Sequence, residues 1–315
     1  EANAAMAASA YAKLTGEVAA CLTIAGPGAT NLATGLYDAK EDHAPVIALN
    51  GQIEVQYTGP GGVQEIDQDA FFRPVTVYNT TVADKSRAVL LLSRALKYAL
   101  VERGVSQVSV PNNIQKQPLD ASFCSRESCI PGFSIIPTDD VIRQAADRIN
   151  AAERPVILAG WGAYPAGQEV LKMAERLGAP ILTTFRAKGI LPEASDWVLG
   201  ILGNVGSPLA RKTAEEADLL ITLGVGFSKF TNVPVDKPMV QVDIEPTKLG
   251  KNDKTLAVHA NCIHLLPRLL PLLRQQETGT RKEEVARMQR EWDFQRDREA
   301  DSTAVPIRPP YIMKV

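Results

Sequence analysis

Short apolar runs alternate with helix-like segments along this chain of 315 residues, and this alternation limits the possible folds more than any other feature. In the first part of the chain the apolar runs cover residues 18–24, 44–51 and 107–113. Between them lie segments with the periodicity of amphipathic helices, the longest at about residues 84–103. Strands separated by helices are typical of parallel sheets, because consecutive parallel strands need crossover connections. The sequence therefore predicts an α/β fold.

The same alternation resumes in the second part of the chain. Strands are predicted at residues 155–160, 179–184, 218–224 and 239–245, and helices at residues 138–152, 167–177, 207–216 and 263–274. About five or six strands with helices between them are expected to form a complete doubly wound domain. The charge-rich residues 276–301 predict a solvated surface helix.

A segment rich in proline and serine separates the two parts and predicts a linker at residues 118–137. A chain of this length suits about two domains of ~150 residues. The predicted organisation is a first domain at residues 1–117, a second at 138–276, and a helical, proline-rich tail at 277–315. Both domains are predicted to be built on doubly wound parallel sheets.

The overall charge excludes several classes of partner. A net charge of −2 gives no electrostatic reason to expect binding to nucleic acid or to an anionic membrane. No apolar run reaches the ~18 residues of a membrane span, and the first residues lack the pattern of a signal peptide. The expected class is a cytoplasmic globular protein without an integral membrane segment.

The cysteines and histidines give no clear metal site. The cysteines are Cys21, Cys124, Cys129 and Cys262, and none of them forms a Cys-x-x-Cys pair. Cys124 and Cys129 could form a disulfide or half of a metal site, but reduced thiols are the prediction for a cytosolic protein. His259 and His264 are expected at a helix start with surface roles, so no metal ligands are predicted.

The chain opens with the alanine-rich stretch EANAAMAASAYAKLTG, which predicts a helix at residues 1–14 that Gly16 ends. From the i, i+4 spacing, its expected shared face consists of Ala2, Met6, Ala10 and Leu14. No capping residue precedes this helix, and the proline-rich tail at the other end stops abruptly. The chain is therefore expected to begin inside an element and to be incomplete at both ends.

The stretch GPGATN at residues 26–31 follows a predicted strand and begins a predicted helix. Open α/β sheets bind ligands at this kind of strand-to-helix turn, where glycine allows close backbone approach. Gly26, Pro27, Gly28 and Asn31 are therefore candidate ligand contacts. The alternative is a tight turn that binds nothing.

The longer context resembles a known family. The stretch EANAAMAASAYAKLTGEVAACLTIAGPGATNLATGLYDAKEDHAPVIALNGQ resembles the pyrimidine-binding domain of thiamine-diphosphate enzymes. The segments GLYDAKEDHAPVIALNGQ and QEIDQDAFFRPVTVYN look most like the pyruvate oxidase branch, with acetolactate synthase a close relative. The second half resembles the family's middle domain, which in these branches often holds FAD. The resemblance extends to about residue 270.

The resemblance implies a catalytic role for the first residue. In the family a glutamate at the position of Glu1 hydrogen-bonds the pyrimidine ring nitrogen of thiamine diphosphate. This bond promotes loss of the cofactor's C2 proton, after which the cofactor attacks a 2-oxo acid and accepts the electrons left by departing CO2. A carboxyl group in an apolar pocket is expected to have a raised pKa, which suits this role. The alternative is that Glu1 is an exposed chain end.

The resemblance also assigns the loop GGVQEID, residues 61–67, to the substrate side of the site. Gln64 matches the family, but Val63 stands where the family usually has phenylalanine. The smaller side chain is expected to enlarge or reshape the substrate pocket. A flexible glycine-rich surface loop is the alternative.

Candidate FAD contacts follow the predicted strands of the second domain, so they are expected at one edge of its sheet. They are Gly160, Gly162, Arg186, Gly203, Gly224 and Asp243. Two positions depart from flavin-binding relatives, because Gly226 replaces an asparagine or arginine and His259-Ala260 replaces glycine-aspartate. The alternative is a middle domain of the same fold that has lost its nucleotide.

The family's Gly-Asp-Gly motif, which helps to hold Mg2+ and the cofactor's diphosphate, does not occur in this sequence. The resemblance therefore implies a fragment of a 2-oxo acid decarboxylating enzyme, with Mg2+ bound through a third domain or a separate chain. The expected partners are a small 2-oxo acid and further copies of the chain, in a homodimer or homotetramer. The alternatives are a non-flavin decarboxylase or lyase and a non-catalytic nucleotide-binding or assembly protein.

Overall fold

The computed structural model describes residues 1–123, 125–132, 134–300, 303 and 305–314. The chain divides into two compact units, Glu1–Phe133 and Ser134–Val315. Each unit contains one sheet in which all paired strands are parallel, so the predicted α/β class is confirmed.

The first unit is built on a four-stranded sheet with the order β1-β2-β4-β3. Its strands are β1 (Ala19–Thr23), β2 (Val46–Gln52), β3 (Tyr78–Thr81) and β4 (Val105–Pro111). Its helices are α1 (Ala2–Thr15), α2 (Pro27–Asn31), α3 (Ala33–Glu41), α4 (Gln68–Phe72), α5 (Ala88–Val101), α6 (Asn112–Gln115) and α7 (Arg126–Cys129). Helices α1 and α3 cover the face that carries Val46 and Val105, and α5 packs on the face that carries Val108.

Helix α1 has the predicted end but not the predicted buried face. Gly16 adopts the left-handed conformation, with φ of 73°, and donates its N–H to the Ala12 carbonyl. The buried residues are Ala5, Ala8, Ser9 and Ala12, whereas Met6 and Leu14 are 40% and 65% exposed, so the predicted Ala2–Leu14 face was wrong. The reason is the partner, since a Cβ at Gly35 of α3 would lie 2.6 Å from the Ala5 Cβ. Only small side chains fit between two helices this close, so size decides which face is buried.

An ion cluster also joins α1 to α3. The Lys13 ammonium lies 2.6 Å from Asp38 and 2.5 Å from Asp42, and the Ser9 hydroxyl donates to Asp38 at 2.7 Å. Burial opposes the charge on Lys13, but the bonds to both aspartates outweigh it and raise the pKa of the ammonium. Because the pKa is raised, the stabilisation by the Lys13 ion pairs is complete at neutral pH. It is lost only as the pH rises through a value above 10.5.

Replacing Lys13 with methionine is expected to lower the free energy of unfolding of the first unit by about 1 kcal/mol. The methylene stem still packs, but the two aspartates lose their shared cation and repel each other. Hydrogen exchange of the α1 and α3 peptides measures the effect within this unit. Lys97→Met, at an exposed position of α5, is the matched control. Equal exchange in the two variants would contradict the expectation.

The second unit is built on a six-stranded sheet with the order β10-β9-β8-β5-β6-β7. Its strands are β5 (Pro155–Ala159), β6 (Ile181–Thr183), β7 (Val198–Ile201), β8 (Leu219–Leu223), β9 (Met239–Asp243) and β10 (Thr255–His259). Its helices are α8 (Asp139–Asn150), α9 (Gly167–Leu177), α10 (Pro208–Glu216), α11 (Cys262–Leu269), α12 (Gly279–Ala300) and α13 (Pro309–Lys314). The strand order reverses between β5 and β8, which is the arrangement of a doubly wound sheet.

Short 3-10 turns complete the elements of both units. They cover Val55–Tyr57, Lys85–Arg87, Trp161–Ala166, Phe185–Ala187, Pro246–Lys248 and Leu270–Leu272. Strands β5, β8 and β9 are buried along their whole length, as expected for central strands covered by helices on both faces.

Three strands were not predicted, and all three lie at sheet edges. Strand β3 has the polar sequence YNTT, and β10 is buried at only one residue. Strand β7 contains Gly200 with φ of 104°, and its pairing with β6 shifts register. Edge strands need no continuous apolar run, so hydrophobicity does not reveal them. Because β10 ends at His259, that residue does not lie at a helix start as predicted.

Helix α12 confirms a predicted helix but is not wholly solvated. Val285 is 1% exposed and belongs to the core of the second unit. Gln289 donates its side-chain amide to the carbonyls of Ser195 and Val198, at 3.2 and 3.0 Å. Helix α12 therefore has a narrow packed stripe along edge strand β7, although most of its surface is charged.

The cysteines differ in part from the prediction of reduced thiols. Cys21 and Cys262 are free and buried, and burial raises their pKa to about 11 and about 12. Cys129 is disulfide-bonded, so the prediction was wrong at that position. Cys124 lies outside the described residues.

None of the helices in the described residues combines the length and the apolar character needed to cross a membrane. No group of three or more histidine, cysteine, aspartate or glutamate side chains in that part of the chain is arranged to hold a metal ion.

Candidate functional site

The turn after β1 and the glycine-rich loop after β2 meet at the carboxyl edge of the first sheet. Gly26 has φ of 60°, and a Cβ there would lie 2.7 Å from the Gln64 carbonyl oxygen. Glycine is needed here because the loop backbone lies directly on the turn. The structure thus brings together Gly26 and Gln64, which are 38 positions apart in the sequence numbering.

Glu1 lies beside the same turn, at the N-terminal end of α1. Its Oε2 is 3.5 Å from the Asn31 side-chain amide nitrogen, and a Cβ at Gly28 would lie 3.6 Å from its Oε1. Helix α1 packs closely on α3, and α2, which contains Gly28 and Asn31, leads directly into α3. The packing of α1 therefore fixes the position of Glu1 relative to these two residues. Glu1 is exposed, so the described residues of this unit do not form the apolar pocket that was expected around its carboxyl group. The polar side chains of Glu1 and Asn31 nevertheless lie together at the sheet edge, with the Gly28 backbone beside them.

The predicted substrate loop projects from the unit. Val63 is 88% exposed, so its side chain has no role in the core of the unit. Gln64 is exposed and has φ of 66°, a left-handed conformation that residues other than glycine rarely adopt. Both side chains are thus available to a ligand or to a further protein surface.

A buried polar network below this loop was missed by the sequence reasoning. Gln107 of β4 donates to Asn50 at 3.0 Å and to Ser109 at 2.8 Å. The Ser109 hydroxyl donates to Gln68 at 3.0 Å, and the Gln68 amide donates to the Gly51 carbonyl at 2.8 Å. The signal was present in the β4 sequence VSQVSVP, which places polar residues inside an otherwise apolar strand. The network attaches α4, and hence the end of the loop, to strands β2 and β4.

In the second unit the loops after β5 and β8 meet at the reversal point of the sheet. A Cβ at Gly160 would lie 2.0 Å from the Gly224 carbonyl oxygen, and one at Gly162 would lie 2.8 Å from the Gly224 Cα. The three predicted glycines are therefore brought together, as expected. Their immediate neighbours are one another's backbones, so loop packing alone accounts for the absence of side chains.

The loops after β6, β7 and β8 form an aromatic edge next to this point. The rings of Phe185 and Phe230 meet edge to face at 5.8 Å and are 55% and 44% exposed. Gly203 packs against the Phe230 carbonyl, from which a Cβ would be 2.7 Å away. Arg186 is exposed beside Phe185. This edge offers two partly exposed aromatic rings with the Arg186 guanidinium nearby, and groups of both kinds can pack against a flat heteroaromatic ligand.

Asp243 ends β9 and is only 8% exposed. Burial raises the pKa of its carboxyl group, and its Oδ1 accepts a hydrogen bond from the Glu245 N–H at 2.9 Å. Gly226 is exposed, with no atom within 4 Å of a Cβ built there among the described residues. Ala260 is fully buried, and the His259 ring bonds the Ile244 carbonyl at 3.0 Å. Gly226 and Ala260 thus place no polar side chain at this edge, and the polar His259 ring is bonded to the backbone of the loop after β9.

Comparisons with known proteins agree with the fold of both units. Residues 1–71 match the thiamine pyrophosphate enzyme N-terminal TPP binding domain, and residues 142–269 match the central domain of the same enzymes. The putative thiamine pyrophosphate-containing protein YdaP of Bacillus subtilis is 40% identical over 253 residues, which are 79% of this chain and 43% of that protein.

Two further relatives are named as enzymes. The pyruvate oxidase of Lactiplantibacillus plantarum is 33% identical over 87% of this chain and 46% of its own length. Acetolactate synthase isozyme 1 large subunit of Escherichia coli is 32% identical over 93% of this chain and 53% of its own length. The chain therefore spans about half the length of the curated relatives that it matches. With both domain types recognised in order along it, the chain belongs to the thiamine pyrophosphate enzyme family.

Proposed function

We propose that this chain supplies the pyrimidine-binding and middle domains of an enzyme that decarboxylates 2-oxo acids with thiamine diphosphate. The observation that carries the proposal is the Glu1 carboxylate, which lies beside Gly28 and Asn31 at the carboxyl edge of a parallel sheet. This edge is where α/β sheets place ligands. We infer domain limits of residues 1–117 and 138–276, with residues 118–137 as the linker.

The residues of the first unit fit one end of this cofactor. The Glu1 carboxyl group would share a hydrogen bond with the pyrimidine ring nitrogen, while Gly26, Pro27, Gly28 and Asn31 would form the surface on which the ring lies. Bound thiamine diphosphate supplies the nucleophilic carbon and the electron sink that decarboxylation of a 2-oxo acid requires. Gln64 and Val63 would contact the substrate from the loop, and a valine at position 63 leaves more room than an aromatic ring.

We propose pyruvate oxidase-like or acetolactate synthase-like chemistry, with FAD on the second unit. The exposed pair Phe185 and Phe230 and the Arg186 cation support a flat, anionic ligand at that edge. Gly160, Gly162, Gly203, Gly224 and Asp243 would line its remaining sides. Mg2+ and the diphosphate would be bound by residues outside this sequence, in a third domain or a separate chain.

The assembly and its location are part of the proposal. We infer a homodimer or homotetramer in the cytoplasm, acting on a small 2-oxo acid.

Ligand-observed saturation-transfer NMR with thiamine tests the site on this chain directly. We expect saturation to reach the pyrimidine protons, and Glu1→Gln to weaken binding about tenfold through loss of a charge-assisted hydrogen bond. Glu102→Gln, an exposed change on the same unit, is the control and is expected to bind as the unchanged chain does. No transfer to the pyrimidine protons, or equal transfer in both variants, would refute the proposed site.

A visible absorption spectrum and a thermal titration with FAD test the second unit. Flavin absorption near ~450 nm, or a rise in the unfolding midpoint with FAD, would support the oxidase and synthase branches. A colourless protein indifferent to FAD would favour a non-flavin decarboxylase or lyase. Gly226 and the buried Ala260 favour this second candidate, because neither offers a polar side chain to a flavin.

A further inference from the structure

The carboxylate of Glu65 is the centre of the glycine-rich loop. Its Oε2 accepts hydrogen bonds from the backbone N–H groups of Gly61 and Gly62, both at 2.8 Å, and its Oε1 accepts one from Gly59 at 2.5 Å. Three amides of one loop thus converge on a single side chain of the same loop. Glycine has the largest conformational freedom of any residue, so a segment with three glycines needs such hydrogen bonds to hold one conformation.

The residues that follow Glu65 are attached to the sheet. The Gln52 side chain donates to the Ile66 carbonyl at 3.1 Å, and the buried Gln68 side chain donates to the Gly51 carbonyl at 2.8 Å. Asp67 caps α4 by accepting from the Ala70 N–H at 2.9 Å. The C-terminal side of the loop therefore has a fixed base, and its N-terminal side is held through Glu65.

Gln64 lies between these two sets of bonds. Its φ of 66° is a left-handed conformation that a residue with a side chain keeps only where the surroundings enforce it. The Gln64 backbone also packs directly on the turn that contains Gly26, since a Cβ at Gly26 would lie 2.8 Å from the Gln64 Cα. Both constraints depend on a loop that stays closed over the turn.

We propose that Glu65 is a positioning residue that holds the 59–65 loop in the shape that presents Gln64 and Val63 to the ligand on the Gly26–Asn31 turn. This inference rests on the proposed function of that turn. Glu65 itself need not touch the ligand, because its carboxylate is engaged with the loop amides.

The charge of Glu65 agrees with this role. Hydrogen bonds from the Gly59, Gly62 and Gly61 amides lower the pKa of the carboxyl group, although partial desolvation opposes them. An ionised carboxylate offers acceptors on both oxygens, whereas a protonated one loses part of that capacity. With a depressed pKa the bonds are complete at neutral pH and are lost as the pH falls through the lowered value.

Amide hydrogen exchange followed by mass spectrometry tests the proposal on the whole chain. In Glu65→Ala we expect the peptides that cover residues 58–65 to exchange about tenfold faster or more. In Glu65→Gln we expect an intermediate rate, since one carbonyl oxygen remains as an acceptor. The thermal midpoint is expected to stay unchanged, because the loop amides are exposed and water replaces the lost acceptor. Glu102→Gln is the control and is expected to match the unchanged chain.

Thiamine saturation transfer on the same variants shows whether Glu65 positions the loop for ligand binding or only orders the loop. A weaker pyrimidine signal in Glu65→Ala, with partial recovery in Glu65→Gln, supports the proposal. Unchanged exchange at residues 58–65, or faster exchange with an unchanged thiamine signal, overturns it. If the unchanged chain gives no thiamine signal, the proposed function of the turn fails. Positioning of a ligand by Glu65 is then refuted as well, even where hydrogen exchange shows that Glu65 orders the loop.

Discussion

Gly224→Ala is expected to destabilise the second unit by about 3 kcal/mol. A Cβ at position 224 would lie 2.4 Å from the Gly162 Cα, and its three nearest atoms all belong to the Gly162 backbone. Separating the loops after β5 and β8 costs about 1–3 kcal/mol by analogy with overpacked cores. Gly224 also has φ of 61°, which adds about 1 kcal/mol for a residue with a side chain. The two costs act together because the loops cannot separate without moving the ends of two central strands.

Tryptophan fluorescence during urea unfolding measures this effect in the right unit, since Trp161, Trp197 and Trp292 all belong to it. Gly226→Ala is the matched control, two residues along the same loop. A Cβ there meets no described atom within 4 Å, so the expected change is within about 0.5 kcal/mol. Similar midpoints for the two variants would mean that the loops pack less closely than the structure gives.

Gly35→Val is expected to destabilise the first unit by about 3 kcal/mol and to displace Glu1. Even a Cβ at position 35 would lie 2.7 Å from the Met6 nitrogen, in addition to its contact with Ala5. Valine adds two further carbons, and the overpacking cost of about 1–3 kcal/mol applies at its upper end. Relief of the helix-breaking effect of glycine offsets less than about 0.5 kcal/mol of this, because valine is itself a modest helix former.

Hydrogen exchange of the α1 peptide is the measurement for this variant, and thiamine saturation transfer reports the position of Glu1. We expect faster exchange throughout α1 and a weaker pyrimidine signal. Thr34→Val introduces the same side chain one residue earlier, on the exposed side of α3, and is expected to leave both readouts unchanged. Wild-type exchange in Gly35→Val would show that α1 and α3 can separate without loss of stability.

The central part of each sheet could be predicted from the sequence because burial on both faces demands continuous apolar runs. Strands β5, β8 and β9 were found in this way, and helix α9 has the predicted limits of residues 167–177. Edge strands β3 and β10 were missed because one side of each lacks a covering layer, so polar residues are tolerated. The buried face of α1 was assigned to the larger side chains, whereas close helix contact selected the smaller ones.

The site was predictable to the extent that ligands bind at the carboxyl ends of parallel strands. This rule, together with the family resemblance, brought Glu1, Gly28 and Asn31 to one place. It could not supply the roles of Glu65 and Gln68, since these depend on which amides a side chain reaches in three dimensions. The glycines at positions 160, 162 and 224 carry less information than their pattern indicated, because their mutual packing requires them with or without a nucleotide.

The contact between α12 and β7 also bears on strand pairing at the edge of the second sheet. Strand β7 lies at the end of its sheet, where unpaired backbone groups invite strand addition from another chain. Gln289 occupies the carbonyls of Ser195 and Val198, and the charged residues around it surround that border with solvated groups. A helix that the sequence predicts only as a solvated surface helix therefore covers part of the edge at which another strand could pair.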